Sequence, residues 1–287
     1  MYKIFITFQE ILNMKKLSIF IGALLLLVGC SKEANKPDSN NTNSQAETST
    51  VKAKNELLTE NEKAFLKFSI EDELKILPTL SSGDNESLLL TSYFPVYSAD
   101  QITNDYDKNE IKANNLYKNK YFFVNGKISG IEAGIDDKPV VRLETKANYG
   151  FNSPMLRFNK IDHGNVAELS KGSKATFFCV GNSEIGGSPI LDDCLFLETF
   201  KTGTVNQALE FEDQNISGND KQWEKAIYTY VSSALFVGQV SNDFQKCAVE
   251  DADCINKLFE SMSKEEKAKY QELIKAKFPK ASKSLEN

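Results

Sequence analysis

Two periods of apolar residues alternate along this chain, and the points where one gives way to the other divide it. Leu17 to Val28 is an almost unbroken apolar run behind Met14-Lys15-Lys16. A spanning helix needs about 20 apolar residues, and this run is shorter, starts basic and ends at a small residue ahead of a polar tract, the layout of a cleavable signal peptide over residues 1–29. Residues 1–13 read as an over-extended start, since Met14 begins a complete signal. Residues 30–55 contain no aromatic side chain and few apolar ones. They read as a disordered tether, because so little apolar surface cannot offset the entropy of ordering the chain.

A helical period follows, in a lead-in over residues 56–97. Thr59 and Glu62 have the capping-box spacing, Leu66, Ile70, Leu74 and Leu77 share one face, and Pro78 stops the segment, so a helix is predicted from Glu60 to Leu77. Ser98 and Gln101 repeat that spacing ahead of Ile102, Tyr106, Ala113, Leu116 and Tyr117, and a second helix is predicted up to about Asn119. From Lys120 the period changes to two. Phe122, Val124 and Ile128 alternate with Tyr121, Phe123 and Lys127 in a first strand, with Gly126 at a bend or close approach. Val141 and Leu143 mark a second strand, Leu156 and Phe158 a third. A short helix is predicted over Asn165 to Ser170, ending at Gly172, before strands four (Lys174 to Val180) and five (Pro189 to Phe200). Five strands with a short helix between the third and fourth is the order of an OB-fold. Residues 201–220 read as a polar linker. Trp223, Ile227, Tyr230 and Val231 then make a helical stripe, and Ser263 to Glu266 opens a helix carrying Tyr270, Leu273, Ile274 and Phe278. The predicted fold class is mainly β plus α. A five-stranded OB barrel over residues 98–200 follows the helices, and a small helical unit over 221–279 precedes a tail over 280–287.

Charge narrows the partners. The whole chain carries 34 basic and 40 acidic side chains, a net of −6, and loss of residues 1–29 would make it about −8. An acidic average argues against nucleic acid as a partner, without excluding a local basic patch.

Chemistry is sparse. The chain has one His, His163, in Ile161-Asp162-His163-Gly164, where it reads as a turn residue. One His cannot form a two-His zinc site, and catalysis would need a nucleophile or metal co-ligands beside it. Gly181 to Gly186 misses the GxSxG spacing by one residue and falls in a hairpin loop. The pairs Asp136-Asp137 and Asp192-Asp193 would point to opposite faces if extended, and read as solvated charges. No cofactor or metal is expected, and the chain is not expected to be an enzyme.

Five cysteines are present. Leu27-Val28-Gly29-Cys30 resembles the lipobox of bacterial lipoproteins, which implies a diacylglycerol on the Cys30 thiol and a membrane partner reached through that lipid. Cys179, Cys194, Cys247 and Cys254 remain, an even number, and export favours disulfides. Three pairings are open. Nearness in the chain favours 179 with 194 and 247 with 254, and a hairpin turn centred on Gly186-Gly187 would set Cys179 opposite Cys194. Cys247 and Cys254 lie about 10 Å apart along a continuous helix, so their pairing would require a reversal near Glu250 to Asp253.

Tyr106, Asn109-Glu110, Ala113, Tyr117-Lys118, Lys120, Val124, Gly126 and Ile128, then Leu169 and Gly172, then Asp193-Cys194 carry a further likeness. In their order and spacing, residues from about Ser98 to Leu197 resemble the tRNA-anticodon-binding-like OB-fold family of exported bacterial lipoproteins. The resemblance implies architecture more than an activity, and no contact with tRNA. Members often carry a Cys on the third strand, where this chain reads Met155-Leu156-Arg157-Phe158. Ser31 after the lipobox implies the outer membrane, facing the periplasm, in a cell with two membranes.

One surface suggests binding. If Phe122, Val124 and Ile128 fill the barrel, then Tyr121, Phe123, Lys127, Arg142 and Arg157 share its outer face with Met155. OB-folds bind extended polymers on such aromatic platforms. The competing expectation is that the apolar faces of the flanking helices cover the aromatics. The functional expectation is a membrane-anchored, non-catalytic binding or structural module with an envelope protein or glycan as partner, and the alternative is a receptor for glycan or another extended polymer.

Overall fold

The computed structural model describes residues 57–80, 88–134, 138–146, 152–212 and 220–285. The expected signal segment, Cys30, the tether and the Asp136-Asp137 pair lie outside these residues.

Helix α1 spans Glu60–Ile76 and opens on the anticipated capping box: the Thr59 hydroxyl accepts the Glu62 N–H at 3.1 Å, and the Glu62 carboxylate accepts the Thr59 N–H at 2.8 Å. Pro78 sits in a tight turn over Leu77–Thr79 that ends the helix. Helix α2 (Leu89–Tyr93) and the short strand β1 (Val96–Ser98) follow. The single helix expected up to Asn119 is two, α3 (Ala99–Lys108) and α4 (Glu110–Tyr117). Asn109 divides them. Its backbone is extended, and its side chain accepts the Lys112 N–H at 3.0 Å as the N-cap of α4.

The barrel comprises β2 (Tyr121–Ala133), β3 (Pro139–Leu143), β4 (Met155–Phe158), β5 (Lys174–Ile185) and β6 (Ser188–Phe196), with α5 (His163–Ala167) between β4 and β5. β2 pairs antiparallel with β5 along its first half and with β3 along its second. β3 pairs antiparallel with β4, β4 parallel with β6, and β6 antiparallel with β5, which closes the sheet. β1 adds to β2 in parallel. The alternation of the strands fills the interior as expected, with Phe122, Val124, Ile128, Val141, Leu143 and Leu156 all buried in one cluster. A Cβ on Gly126 would stand 3.1 Å from Leu143 and 3.2 Å from Ala99, so this glycine serves a close approach.

At the β5–β6 turn, Gly186 and Gly187 both take positive φ, 60° and 84°, as a two-residue type I′ hairpin requires. Cys179 and Cys194 are joined, with Cα atoms 4.1 Å apart. The register slips beside them because Asp193, at φ 48°, is an extra residue on β6.

The helices build a second core. α6 (Leu197–Leu209), α7 (Lys221–Ser241), α8 (Ala252–Ser261), α9 (Lys264–Lys277) and α10 (Pro279–Leu285) share one buried cluster with α1 and α2. Several expectations are corrected here. Strand five ends at Phe196 rather than Phe200, and residues 201–209 are helix rather than linker, because Phe200, Thr204 and Ala208 recur every four residues and bury one face. Residues 280–285 are helix rather than tail, in a helix that opens on Pro279 and buries Ala281. The short helix is His163–Ala167, ahead of its expected place. Helix therefore holds more of the described residues than strand, so the fold is α plus β around a barrel rather than mainly β. The Cys247–Cys254 disulfide forms with Cα atoms 5.6 Å apart across the turn before α8, where the Asp251 carboxylate accepts the Cys254 N–H. Among the described residues, no helix is long and apolar enough to cross a membrane.

Candidate binding face

The outward side chains of β2 change character along the strand. At its start, Phe123 is 0% exposed, with ring contacts to Phe178 and Phe200 at 5.2 Å each. Tyr121 stacks on Phe178, ring centroids 5.7 Å apart and planes within 7°. Phe94, at the end of α2, stands over both and also meets Phe178 at 5.2 Å and Trp223 at 5.4 Å. The helices thus cover the strand-one aromatics. Of the two expectations for Tyr121 and Phe123, an exposed platform or a face covered by flanking helices, the second holds, because the apolar sides of α2, α6 and α7 meet the barrel there.

Polar groups fix this contact. Gln222, at the start of α7, accepts the Tyr121 N–H at 3.2 Å and donates to the carbonyls of Tyr121 at 2.8 Å and Tyr93 at 2.6 Å. Burial first, and then the Asp220 carboxylate, pushes the Tyr121 phenol up to about 12. Deeper in the helical layer Glu73 is buried, its carboxylate accepting Leu89 N–H at 3.0 Å, Leu90 N–H at 2.8 Å and the Tyr230 hydroxyl at 2.7 Å. Burial pushes its pKa up to about 7 against the pull of those three hydrogen bonds. Glu73 lies three residues from Ile70 and beside Leu74, so a carboxylate on the apolar helix face was its only signal. Gln222 gave none.

The three expected cations lie apart from these aromatics, each on a carboxylate. Lys127 meets Glu144 at 2.8 Å, and Arg142 Nε meets Glu132 at 2.9 Å. Arg157 grips both oxygens of Asp192, at 2.5 and 2.8 Å, and Asn182 donates to the same carboxylate at 2.6 Å. Arg142 lies opposite Met155, and Arg157 opposite Val140, so the two arginines share the β3–β4 ladder. Such a surface offers paired charge and no stacking platform.

His163 opens α5, its Nε2 3.3 Å from the Phe158 carbonyl. Beside it, buried Asp162 accepts the Phe196 N–H at 3.0 Å and the Thr199 hydroxyl at 2.7 Å, tying α5 to the β6–α6 junction. Among the described residues no three His, Cys, Asp or Glu side chains are grouped to hold a metal ion.

No curated protein matches the chain. One solved structure similar to part of it is that of a lipoprotein from Klebsiella pneumoniae for which nucleic-acid binding has been suggested. The likeness has a TM-score of 0.32 at 23% identity and covers 40% of this chain and 98% of that one. A family match spans residues 11–195, more than half of the sequence and all five strands of the barrel up to Leu195. The chain belongs to the tRNA_anti-like family.

Proposed function

We propose that this protein is a lipid-anchored protein of the bacterial envelope whose OB domain is a non-catalytic structural or protein-binding module. The observation that carries the reading is the helical cover on β2: the aromatics an OB-fold would offer a polymer are spent on holding α2, α6 and α7. The lipobox at Cys30 and the acidic charge of the chain support the envelope location and a partner other than nucleic acid. The carboxylates on Lys127, Arg142 and Arg157 weigh in the same direction, since a phosphate backbone would have to displace each of them.

Cys30→Ser tests the anchoring half of the proposal. The variant should leave the membrane fraction or keep its signal segment, and unchanged partition and processing would refute it. For the module, titration with a single-stranded oligonucleotide and with glycan chains at moderate salt should give no saturable binding. Saturable binding lost in Tyr121→Ala would instead establish the polymer-receptor reading.

A further inference from the structure

The end of the chain departs from the rest in charge. Residues 264–283 carry seven Lys against three Glu, a net of +4 in a chain whose total is −6. Two of those carboxylates are taken: Glu272 meets Lys275 at 3.1 Å, and Glu266 accepts the Ser263 N–H at 2.8 Å in the capping box that opens α9. Lys269, Leu273 and Lys277 recur every four residues, so they share one side of α9. All three are exposed, Leu273 by 48%, and neither lysine makes an ion pair among the described residues.

An apolar hollow of about 290 Å³ opens on the same side, between α7 and α9. Leu235, Phe236, Tyr270 and Leu273 line it together with Gln239 and Lys277. This is also the end at which the chain enters the fold. The Thr59 hydroxyl donates to the carboxylate of Asp243, just beyond α7, at 2.7 Å, and Asn61 donates to the same residue at 3.2 Å. The Glu62 side chain crosses α7 at Gly238, where any Cβ would collide with it, and Gln239 of the hollow is the next residue. Burial raises the Glu62 carboxyl, and Lys277 stands near enough to pull against that rise. A tether running from Cys30 to Leu57 therefore joins the protein beside the cationic, apolar face.

We infer that the α7–α9 face is a second, peripheral contact with the membrane and rests on an anionic bilayer. Lys269 and Lys277 meet the headgroup phosphates, and Leu273 with the hollow beside it meets the upper acyl chains. Charge complementarity selects this occupant: a basic, apolar helix face on an otherwise acidic chain is drawn to an anionic surface, and the acidic remainder is turned away from it. The inference rests on the membrane location proposed above, because the anchor supplies the proximity. Alone the face holds weakly and reversibly, so unlipidated protein still leaves washed membranes.

Flotation with lipid vesicles tests the face apart from the anchor. The protein is the chain from residue 30 onward with Cys30→Ser, which keeps every described element and has no acyl group of its own. At low salt it should partition onto vesicles of phosphatidylglycerol and phosphatidylethanolamine at least about tenfold more strongly than onto phosphatidylcholine, and added salt should release it. Lys269→Glu with Lys277→Glu should weaken that partition by about tenfold or more. If Lys277→Glu disturbs the fold beside Glu62, Lys269→Glu with Leu273→Asp carries the same expectation. Lys112→Glu, on the exposed side of α4 next to the exposed Ile111, should leave partition unchanged. The inference is overturned by equal partition onto both vesicles, by undiminished partition in a folded double variant, or by an equal loss in Lys112→Glu. Saturable binding of a single-stranded oligonucleotide that the double variant loses would also overturn it. Release of Cys30→Ser protein from washed cell membranes bears on the anchor alone, so the two readings fail separately.

Discussion

The barrel draws its core from residues between Ala99 and Cys194, where each strand finds its partners within one contiguous stretch of chain. The helical layer instead joins Leu66 and Ile70 to Val231 and Phe259, across most of the described sequence. The first core is closed by backbone ladders on every side, the second by side chains. A defect in the barrel interior is therefore confined among interlocked strands, whereas a defect at Phe94 or Gln222 acts on the contact between the two cores. The lesson is that the two cores are joined through side chains at one face of the barrel, and that joint occupies the surface where an OB-fold would bind a polymer.

The sharpest way to break this comparison is Phe94→Ala. Phe94 touches five aromatic rings from β2, β5, α6 and α7, so its loss should cost about 3 to 5 kcal/mol, measured by chemical denaturation. A cost under about 1 kcal/mol would mean that the joint is not where the layers are held. The disulfides separate the cores in another way. Cys179 and Cys194 are 15 residues apart and Cys247 and Cys254 are 7 apart. By loop-closure entropy, replacing each pair by Ala should cost about 3 and about 2 kcal/mol respectively. Mass mapping under non-reducing conditions should recover both links, and other pairings would contradict the β5–β6 pairing and the turn before α8.

Alternation and caps explain how much of this was legible in advance. Phe122, Val124 and Ile128 announce which side of β2 is inside, and Thr59 with Glu62 announces where α1 begins, because both rest on contacts a few residues long. The Gly186-Gly187 turn indicated the opposition of Cys179 and Cys194, which holds because two register slips between the turn and the cysteines cancel. The helix over residues 201–209 was hidden by its Thr and Gly content, although Phe200, Thr204 and Ala208 keep a four-residue period. The break at Asn109 had a signal, an N-capping residue followed by Glu110, overridden by the longer apolar period. That flanking helices would cover Tyr121 and Phe123 was expected from their apolar faces, but the residues that do so, Phe94 and Trp223, were not readable locally, since they reach the strand from distant parts of the chain.

The helical core should also be the pH-sensitive one. Glu73 holds its proton in the folded state up to about 7, while an unfolded carboxyl releases it near its ordinary value of 4.5. The folded state thus binds more protons between those values, so its stability is greatest below the window, falls through it as pH rises, and levels off above pH 7. The fall should be on the order of 3 kcal/mol. Glu73→Gln should remove that slope while lowering stability in acid, because its amide sets a donor against the donors of Leu89, Leu90 and Tyr230. Equal slopes in denaturation curves of the two proteins from pH 4.5 to 8 would show that Glu73 does not couple the helices to pH.

The smallest effect belongs to the exposed ladder. Arg142→Ala removes a partly exposed pair with Glu132 and should change stability by about 0.2 to 1 kcal/mol, less at high salt. A larger loss would mean that the β3–β4 face, too, is a structural joint.

The central claim is that the outward aromatics of β2 are packing groups, and it is tested most directly by comparing neighbours on one strand. Denaturation of Phe122→Ala and Phe123→Ala side by side should give similar losses of about 3 to 5 kcal/mol, one from the barrel interior and one from the joint with the helices. Near-native stability in Phe123→Ala beside a destabilised Phe122→Ala would contradict the account and return that face to the solvent.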